Sequence, residues 1–465
     1  MDVEKFTYYY FLGIGGIGMS ALARYFKHQQ KYVAGYDRSD SGITRDLSKE
    51  GIPVIYSDDP ESLPAEITNH PAEVLVVYTP AVPSDSLLMN YFRSNHYQIF
   101  KRSEVLGQLF AQGTGIAVAG THGKTTTSTL VAHLLKQSSV DCSAFLGGIS
   151  LNYSSNLLLS NKSKVIVAEA DEYDRSFLQL FPSLAVVTSV DPDHLDIYGT
   201  YNEIVAAFEA FIQQIKPGGK LIYRKGIAAN AHCNKAVESY SYSVEGEADF
   251  YPLHARTDGR YQMFDLKTPW RIIPQLVLPL PGRMNLENAT AACAIALMAG
   301  VTEDELRNAL ATFAGVKRRF EYHLDHPAIK LIDDYAHHPE EIKACIQTAR
   351  SVYPGYKITG IFQPHLYSRT RDLAMEFAEA LSQLDEVILL DIYPAREAPI
   401  EGVSAEIIFN QIKLPDKYMA SKNDIPRLLE RLPLQVLITM GAGDIDQMIE
   451  PIKQILTKHY IIGKE

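Results

Sequence analysis

Residues 115–135, GIAVAGTHGKTTTSTLVAHLL, place a short apolar run, a Gly-Lys-Thr turn and a helical pattern in immediate succession. Gly120 and Gly123 let the backbone turn tightly with its N–H groups facing inward. Lys124 adds a point charge, and Thr125 a hydroxyl able to hold Mg²⁺ at a helix N-terminus that already favours anions. Such a loop takes a nucleoside triphosphate. The strict Walker spacing wants a glycine where this chain has Val118, so the loop is a shortened variant.

Two acidic clusters follow. In KVIVAEADEYDRSFL, residues 164–178, a buried-strand run from Val165 to Ala168 delivers Glu169 and Asp171 to its carboxyl end, where open α/β sheets place ligands. Glu169 is the first expected Mg²⁺ ligand. LAVVTSVDPDHLDIYG, residues 184–199, is a second apolar strand, ending in Asp191, Asp193, His194 and Asp196. Asp191 and Asp196 read as turn formers and helix caps; His194, set among carboxylates, reads as a second metal or phosphate contact.

A second glycine turn lies near the start. FTYYYFLGIGGIGMSALARYF spells GxGxxG with Gly13, Gly15 and Gly18, and Asp37 closes the next strand, YVAGYD. The Rossmann fingerprint uses such an acid on a ribose, which reads as NAD; a UDP-sugar satisfies the same diphosphate physics. Further on, Asn285 and Asn288 open an Ala-rich helix, either as caps or as readers of an adenine edge. GVKRRFE, residues 315–321, concentrates Lys317, Arg318 and Arg319 as a phosphate contact or a solvated charge run.

These residues need sheets to hold them. Strand runs at 73–81 and 97–100 complete a small α/β sheet with the first strand, while the third segment alternates strand and helix as a second doubly wound unit. Its polar signals, DDYAHHP (333–339), QPHLYSRTR (363–371) and GAGD (441–444), fall at carboxyl ends of strands and are expected to line one edge, with Asp444 capping a helix after the Gly441–Gly443 turn. A length of 465 residues with 46% hydrophobic content suits about three domains. A net charge of -11 argues against nucleic-acid and anionic-membrane surfaces. Four scattered cysteines, Cys142, Cys233, Cys293 and Cys345, form neither a disulfide framework nor a zinc motif. No signal peptide or membrane span is read, and a cytoplasmic location is expected.

GTHGKTTT, EADEYDRSFL, DPDHLD, MNLENATAA, RRFE, DDYAHHP and FQPHLYSRTRD, in that order behind GIGGIGMSALA, resemble the Mur ligases of peptidoglycan synthesis over almost the whole chain. The resemblance implies three α/β domains: a Rossmann-like UDP-sugar domain (1–107), a central P-loop ATPase-type domain (108–318) and a C-terminal Rossmann-like amino-acid domain (319–465). It implies ATP-dependent joining of L-alanine to the lactyl carboxylate of UDP-N-acetylmuramate through an acyl phosphate, releasing ADP and phosphate. A sibling activity, recycling a tripeptide onto the same UDP-sugar, is the alternative. A monomer or weak homo-oligomer is expected.

Carried over, Gly13, Gly15, Gly16 and Gly18, with Asp37, would hold the UDP part. Gly120, Thr121, His122, Gly123, Lys124, Thr125 and Thr126 would hold the ATP phosphates. Thr125 and Glu169 would bind one Mg²⁺ and His194 a second; Asn288 would contact adenine, Arg319 the phosphates, and Asp333 or Asp334 the ribose. Lys124, His194, His337, His365 and Arg369 would serve the reaction, with His365 and Arg369 at the amino acid. Tyr173, Ser189, Leu366 and Ser368 depart from the commoner family pattern. Residues 195–215 contain no lysine, so the carbamylated lysine of several siblings is not expected. Outside the family, a nicotinamide dehydrogenase leaves the Gly-Lys-Thr loop without a task, and a P-loop switch explains that loop alone.

Overall fold

The structure is a computed structural model and describes residues 3–192, 195–395 and 397–462. It divides into two compact units: residues 1–256, 263–279 and 285–314, and residues 257–262, 280–284 and 315–465.

The first unit holds two parallel-rich sheets. Tyr8–Leu12 is the centre of a five-stranded sheet ordered Val54–Ile55, Tyr32–Tyr36, Tyr8–Leu12, Val74–Tyr78, Gln98–Lys101, all parallel. The two-residue period of a strand splits its aromatic run. Tyr9 and Phe11 join one core with Val33, Leu75 and Val77, while Tyr10 and Leu12 join the core on the other face with Val74 and Val76. Tyr9 stacks on Phe26 of the helix Ile17–His28, which anchors that helix, and the glycine turn before it, on the sheet.

The second sheet has seven strands, with Thr114–Ala119 at its middle between Leu184–Val187 and Val165–Glu169. Parallel register brings Ala119 beside Val187 and Val118 beside Glu169, so the phosphate loop and both acidic clusters leave the sheet at the same edge. Ser143–Ser150 and Ser155–Leu158 extend this sheet as an antiparallel pair. Neither was read from the sequence, nor was the three-stranded sheet Tyr251–Asp258, Tyr261–Lys267, Ile272–Leu278. The two large sheets share one core, in which Phe26 and Val33 join Phe145 and Ala168. Asn156 fastens them, donating to the Ile17 carbonyl at 2.6 Å and to Ser20 Oγ at 3.0 Å.

The second unit is built on six strands, Glu321–His326, Ile329–Asp334, Val436–Met440, Ile358–Phe362, Glu386–Leu389 and Lys417–Met419 in spatial order, parallel except for the first pair. Asp334 and Phe362 both pair in register with Met440. The three polar motifs therefore do line one sheet edge. Asp444 caps no helix; its carboxylate accepts from Gln363 Nε2 and pairs with Lys422, and Gly443 stands at the N-cap.

Among the described residues no helix is long and apolar enough to cross a membrane.

Candidate active site

In the first unit the loop Gly120–Gly123 connects the strand Thr114–Ala119 to the helix Lys124–Lys136. Gly123 has φ +79° and Gly120 φ +138°, both outside what a side chain adopts readily. Space forbids one as well. A Cβ on Gly120 would lie 1.9 Å from Thr188 Oγ1, and one on Gly123 2.5 Å from Asn288 Oδ1. Asn288 also accepts from Thr127 Oγ1 at 3.2 Å, so it lies against the loop and the first turn of its helix.

The second acidic strand braces the loop from the other side. Ser189 Oγ is 2.7 Å from Thr121 Oγ1 and accepts from the His122 N–H at 2.9 Å; Asp191 accepts from Thr121 Oγ1 at 3.2 Å. Asp191 thus touches the loop as well as turning the chain. His194 and Asp193 lie outside the described residues, as does the side chain of Asp196.

Thr125 Oγ1 donates to Glu169 Oε1 at 3.2 Å, which brings together the two oxygens expected at a divalent cation. Gly147 makes room for that carboxylate: a Cβ there would sit 2.0 Å from Glu169 Oε2. Lys124 is engaged by Glu172, whose carboxylate oxygens lie 2.8 and 2.9 Å from Nζ. Burial pulls the Lys124 ammonium down, but Glu172, Asp171 and Glu169 together outweigh it and hold it protonated. Burial pushes Glu172 up to about 7 even with that ammonium beside it.

At the first glycine turn Gly13 has φ +82°, and Gly16 caps the helix Ile17–His28. Asp37 Oδ2 accepts from the Gly15 N–H at 2.8 Å, so the predicted ribose acid sits on the turn itself. Arg102 lies over the helix start, its Nη1 2.9 Å from where a Cβ on Gly18 would be.

In the second unit Arg318 and Arg319 share one aromatic ring but differ in their hydrogen bonds. Arg318 donates to Asp333 Oδ2 at 2.9 Å and to the Gly441 carbonyl at 2.6 Å, which binds the edge of the sheet together. Both guanidiniums lie over the Tyr335 ring, Arg318 at 5.2 Å and Arg319 at 5.4 Å from its centroid. Asp333, 1% exposed, is held between Arg318 and Thr439 Oγ1. Asp334 accepts from the Phe320 and Ala336 N–H groups, each at 2.8 Å; burial pushes it up to about 6 against the pull of Arg319.

His337, His365 and Arg369 come together at the same edge. The two imidazoles are 6.2 Å apart, edge to face, and His365 stacks on Tyr393. Burial first, then each other's charge and that of Arg369, lowers His365 to about 4, and burial likewise lowers His337. His337 Nδ1 faces two acceptors, the Tyr335 carbonyl at 3.0 Å and Glu341 Oε2 at 3.3 Å. Nδ1 therefore carries the hydrogen in the neutral ring, leaving Nε2 as the proton acceptor. Arg369 Nη1 is buried with no hydrogen-bond partner among the described residues. Leu366, at φ +71°, starts the helix Tyr367–Asp372 that carries it. Positive φ in a γ-branched residue is strain of the kind concentrated at ligand sites.

Gly147, Glu172, Asp191 and Glu341 were missed as site residues from sequence. Glu172 stood inside the motif EADEYD; its spacing gave no sign that it, and not Asp171, would reach Lys124. Gly147 had one visible signal, a Gly pair in an apolar run.

Comparison with known proteins covers all three segments. The Mur ligase family catalytic domain matches residues 8–114, the Mur ligase middle domain 118–296, and the Mur ligase glutamate ligase domain 318–443. The chain is 50% identical over 458 residues to the UDP-N-acetylmuramate–L-alanine ligase of Parabacteroides distasonis, covering 98% of this chain and 99% of that protein. It is 52% identical over 451 residues to the ligase of the same name from Porphyromonas gingivalis, covering 96% and 98%. The crystal structure of UDP-N-acetylmuramate-alanine ligase from Thermotoga maritima matches with TM-score 0.82 at 27% identity, over 97% of this chain and 99% of that one.

Proposed function

We propose how this chain, which belongs to the Mur ligase family, distributes its reaction over the residues above. It joins L-alanine to the lactyl carboxylate of UDP-N-acetylmuramate at the expense of ATP, in peptidoglycan precursor synthesis. The observation that carries the phosphoryl half is that the Gly120–Gly123 turn opens directly onto Lys124, held by Glu172, and Thr125, which donates to Glu169.

A carboxylate is a poor electrophile, so the lactyl oxygen first takes the γ-phosphoryl group and becomes an acyl phosphate. Charge in that largely dissociative step is spread by fixed cations. Lys124 beside the phosphate loop is such a cation, and Arg319 is a further phosphate contact carried over from the family motif. The hard oxygens of Thr125 and Glu169 suit Mg²⁺, which when bound neutralises phosphate charge. Segment 1–107 takes the UDP-sugar at Gly13–Gly18, and segment 319–465 the amino acid. The chain acts in the cytoplasm.

The amine of alanine must lose a proton before it attacks. His337 is placed for this: Nε2 keeps its lone pair because Nδ1–H is held by the Tyr335 carbonyl and Glu341. Lowered by burial, His337 stays neutral to a pH below that of an ordinary imidazole. The acid limb of kcat/KM for alanine is expected below about pH 6.5 in wild type and to disappear in His337→Gln. A limb that persists in the variant assigns the proton to another group.

Gly147→Ala tests the metal pair. The strand is extended, so alanine fits the backbone, yet its Cβ displaces the Glu169 carboxylate. The Mg²⁺ concentration for half-maximal activity is expected to rise by roughly tenfold, as for lost outer support of a metal ligand. An unchanged requirement rejects Glu169 as a ligand. The whole assignment is tested by phosphate release from ATP with UDP-N-acetylmuramate and each amino acid added singly: release dependent on both the sugar nucleotide and L-alanine is expected.

A further inference from the structure

We propose that Glu172 is a positioning residue that holds the Lys124 ammonium drawn back into its own loop until a nucleotide phosphate displaces it. The inference rests on the reading of Lys124 as a phosphate contact. An ammonium has three N–H donors. Those of Lys124 are directed at the Gly120 carbonyl (2.7 Å), the Thr121 carbonyl (3.3 Å) and the Glu172 carboxylate (2.8 and 2.9 Å). A phosphate gains this ammonium only when one of those contacts is given up.

Glu172 makes the strongest of the three, because it is the charged one and lies out of water, its side chain 2% exposed. It is also fixed from behind. The buried Tyr198 donates its hydroxyl to the Glu172 backbone carbonyl at 2.6 Å. Immediately after it, Asp174 and Arg175 adopt left-handed backbone, and Lys101 pairs with Asp174 at 3.1 Å. The other carboxylates of the motif are placed differently, Glu169 meeting Thr125 and Asp171 capping the turn at the Tyr173 N–H. The carboxylate that holds the loop lysine is thus separate from the one that meets the Thr125 hydroxyl.

A site whose competent state is only partly populated binds with an affinity reduced by that fraction. Glu172 sets that fraction by competing with phosphate for one ammonium. It acts through Lys124 and is not itself a catalytic residue.

The test is calorimetric titration of the full chain with ADP and Mg²⁺. Glu172→Gln keeps the shape and removes the charge; it is expected to bind ADP more tightly than wild type, on the order of tenfold, within the usual range of coupling between contacts. Glu172→Asp, which restores the charge, is expected to return toward the wild-type affinity. In turnover, Glu172→Gln is expected to lower KM for ATP without raising kcat. A merely structural role predicts the opposite, weaker binding with a lowered melting temperature. Tyr198→Phe, which frees the backbone behind Glu172 and keeps the ring, is expected to tighten ADP binding in the same direction and serves if the glutamine variant does not fold. Unchanged or weaker ADP binding in the folded variants overturns the inference. If wild type and Lys124→Ala bind ADP equally, the phosphate reading of Lys124 falls first; if Lys124→Ala alone loses binding, only the role of Glu172 falls.

Discussion

Lys124→Ala is expected to release phosphate at roughly one-hundredth to one-thousandth of the wild-type rate, the scale of losing one preorganised charge contact to a transition state. The loss is expected in kcat as well as in nucleotide affinity, because a fixed ammonium is worth most when the transferring phosphoryl group is spread between two oxygens. The fold is expected to survive. Removing one member of a buried pair usually costs about 3–5 kcal/mol, since the other charge is left stranded. Glu172 escapes that penalty by taking up a proton. It stands at about 7 with the ammonium beside it and moves higher without it. The sign follows from linkage: a carboxyl raised in the folded state contributes stability that is full below its unfolded value, near 4.5, and is lost as pH rises through the folded one. The melting deficit of the variant is therefore expected to be small at pH 6 and to grow above pH 7. Phosphate release at the wild-type rate rejects the assignment of Lys124, and a deficit that shrinks with rising pH rejects the protonation of Glu172.

What was legible in the sequence follows from how local each feature is. The loop Gly120–Gly123 and its helix needed only a turn, a charge and a periodic apolar run in one stretch. The strands at Tyr8–Leu12, Val165–Glu169 and Val436–Met440 are short β-rich runs, and in each the motif follows at the carboxyl end, so a ligand edge could be expected in each of their three separate sheets. The strands Ser143–Ser150 and Tyr251–Asp258 were not readable in this way. The first carries Gly147 and Gly148 and the second is largely exposed, so neither shows the continuous apolar run of a central strand. Partner choice was least legible. Which of Glu169, Asp171 and Glu172 meets Lys124 is set by tertiary placement, with Glu172 held through its carbonyl by Tyr198, a residue distant in the sequence. Arg318 and Arg319 are adjacent and chemically identical, and both lie over Tyr335; nothing in the sequence says that Arg318, at positive φ, is the one that also binds Asp333 and the Gly441 carbonyl.

Arg369→Lys is expected to raise KM for L-alanine about 30- to 150-fold, equivalent to about 2–3 kcal/mol for losing a charge-assisted, two-pronged contact, with little change in KM for ATP or UDP-N-acetylmuramate. Zwitterionic alanine offers a carboxylate that must be held while its amine is deprotonated and attacks. A planar guanidinium grips a carboxylate with two parallel N–H groups; an ammonium cannot. The family resemblance implies an arginine where this chain has Leu366, which leaves Arg369 and Arg371 as the guanidiniums of the motif QPHLYSRTR. Arg369 stands where the remaining clamp is needed, close enough to His337 and His365 for its charge to lower both. Its neighbour Arg371 is paired with Asp372 at 2.7 Å, on an exposed surface. Arg369 Nη1, by contrast, is buried with no hydrogen-bond partner among the described residues. A buried donor left in that condition costs free energy that a carboxylate ligand recovers on binding. The variant keeps the positive charge and most of the volume, so the fold and the neutral state of the two histidines are expected to persist. A steady-state alanine titration with unchanged KM rejects Arg369 as the clamp and transfers the role to Arg371; a rise in KM for ATP of the same size shows a disturbed fold instead of a lost contact.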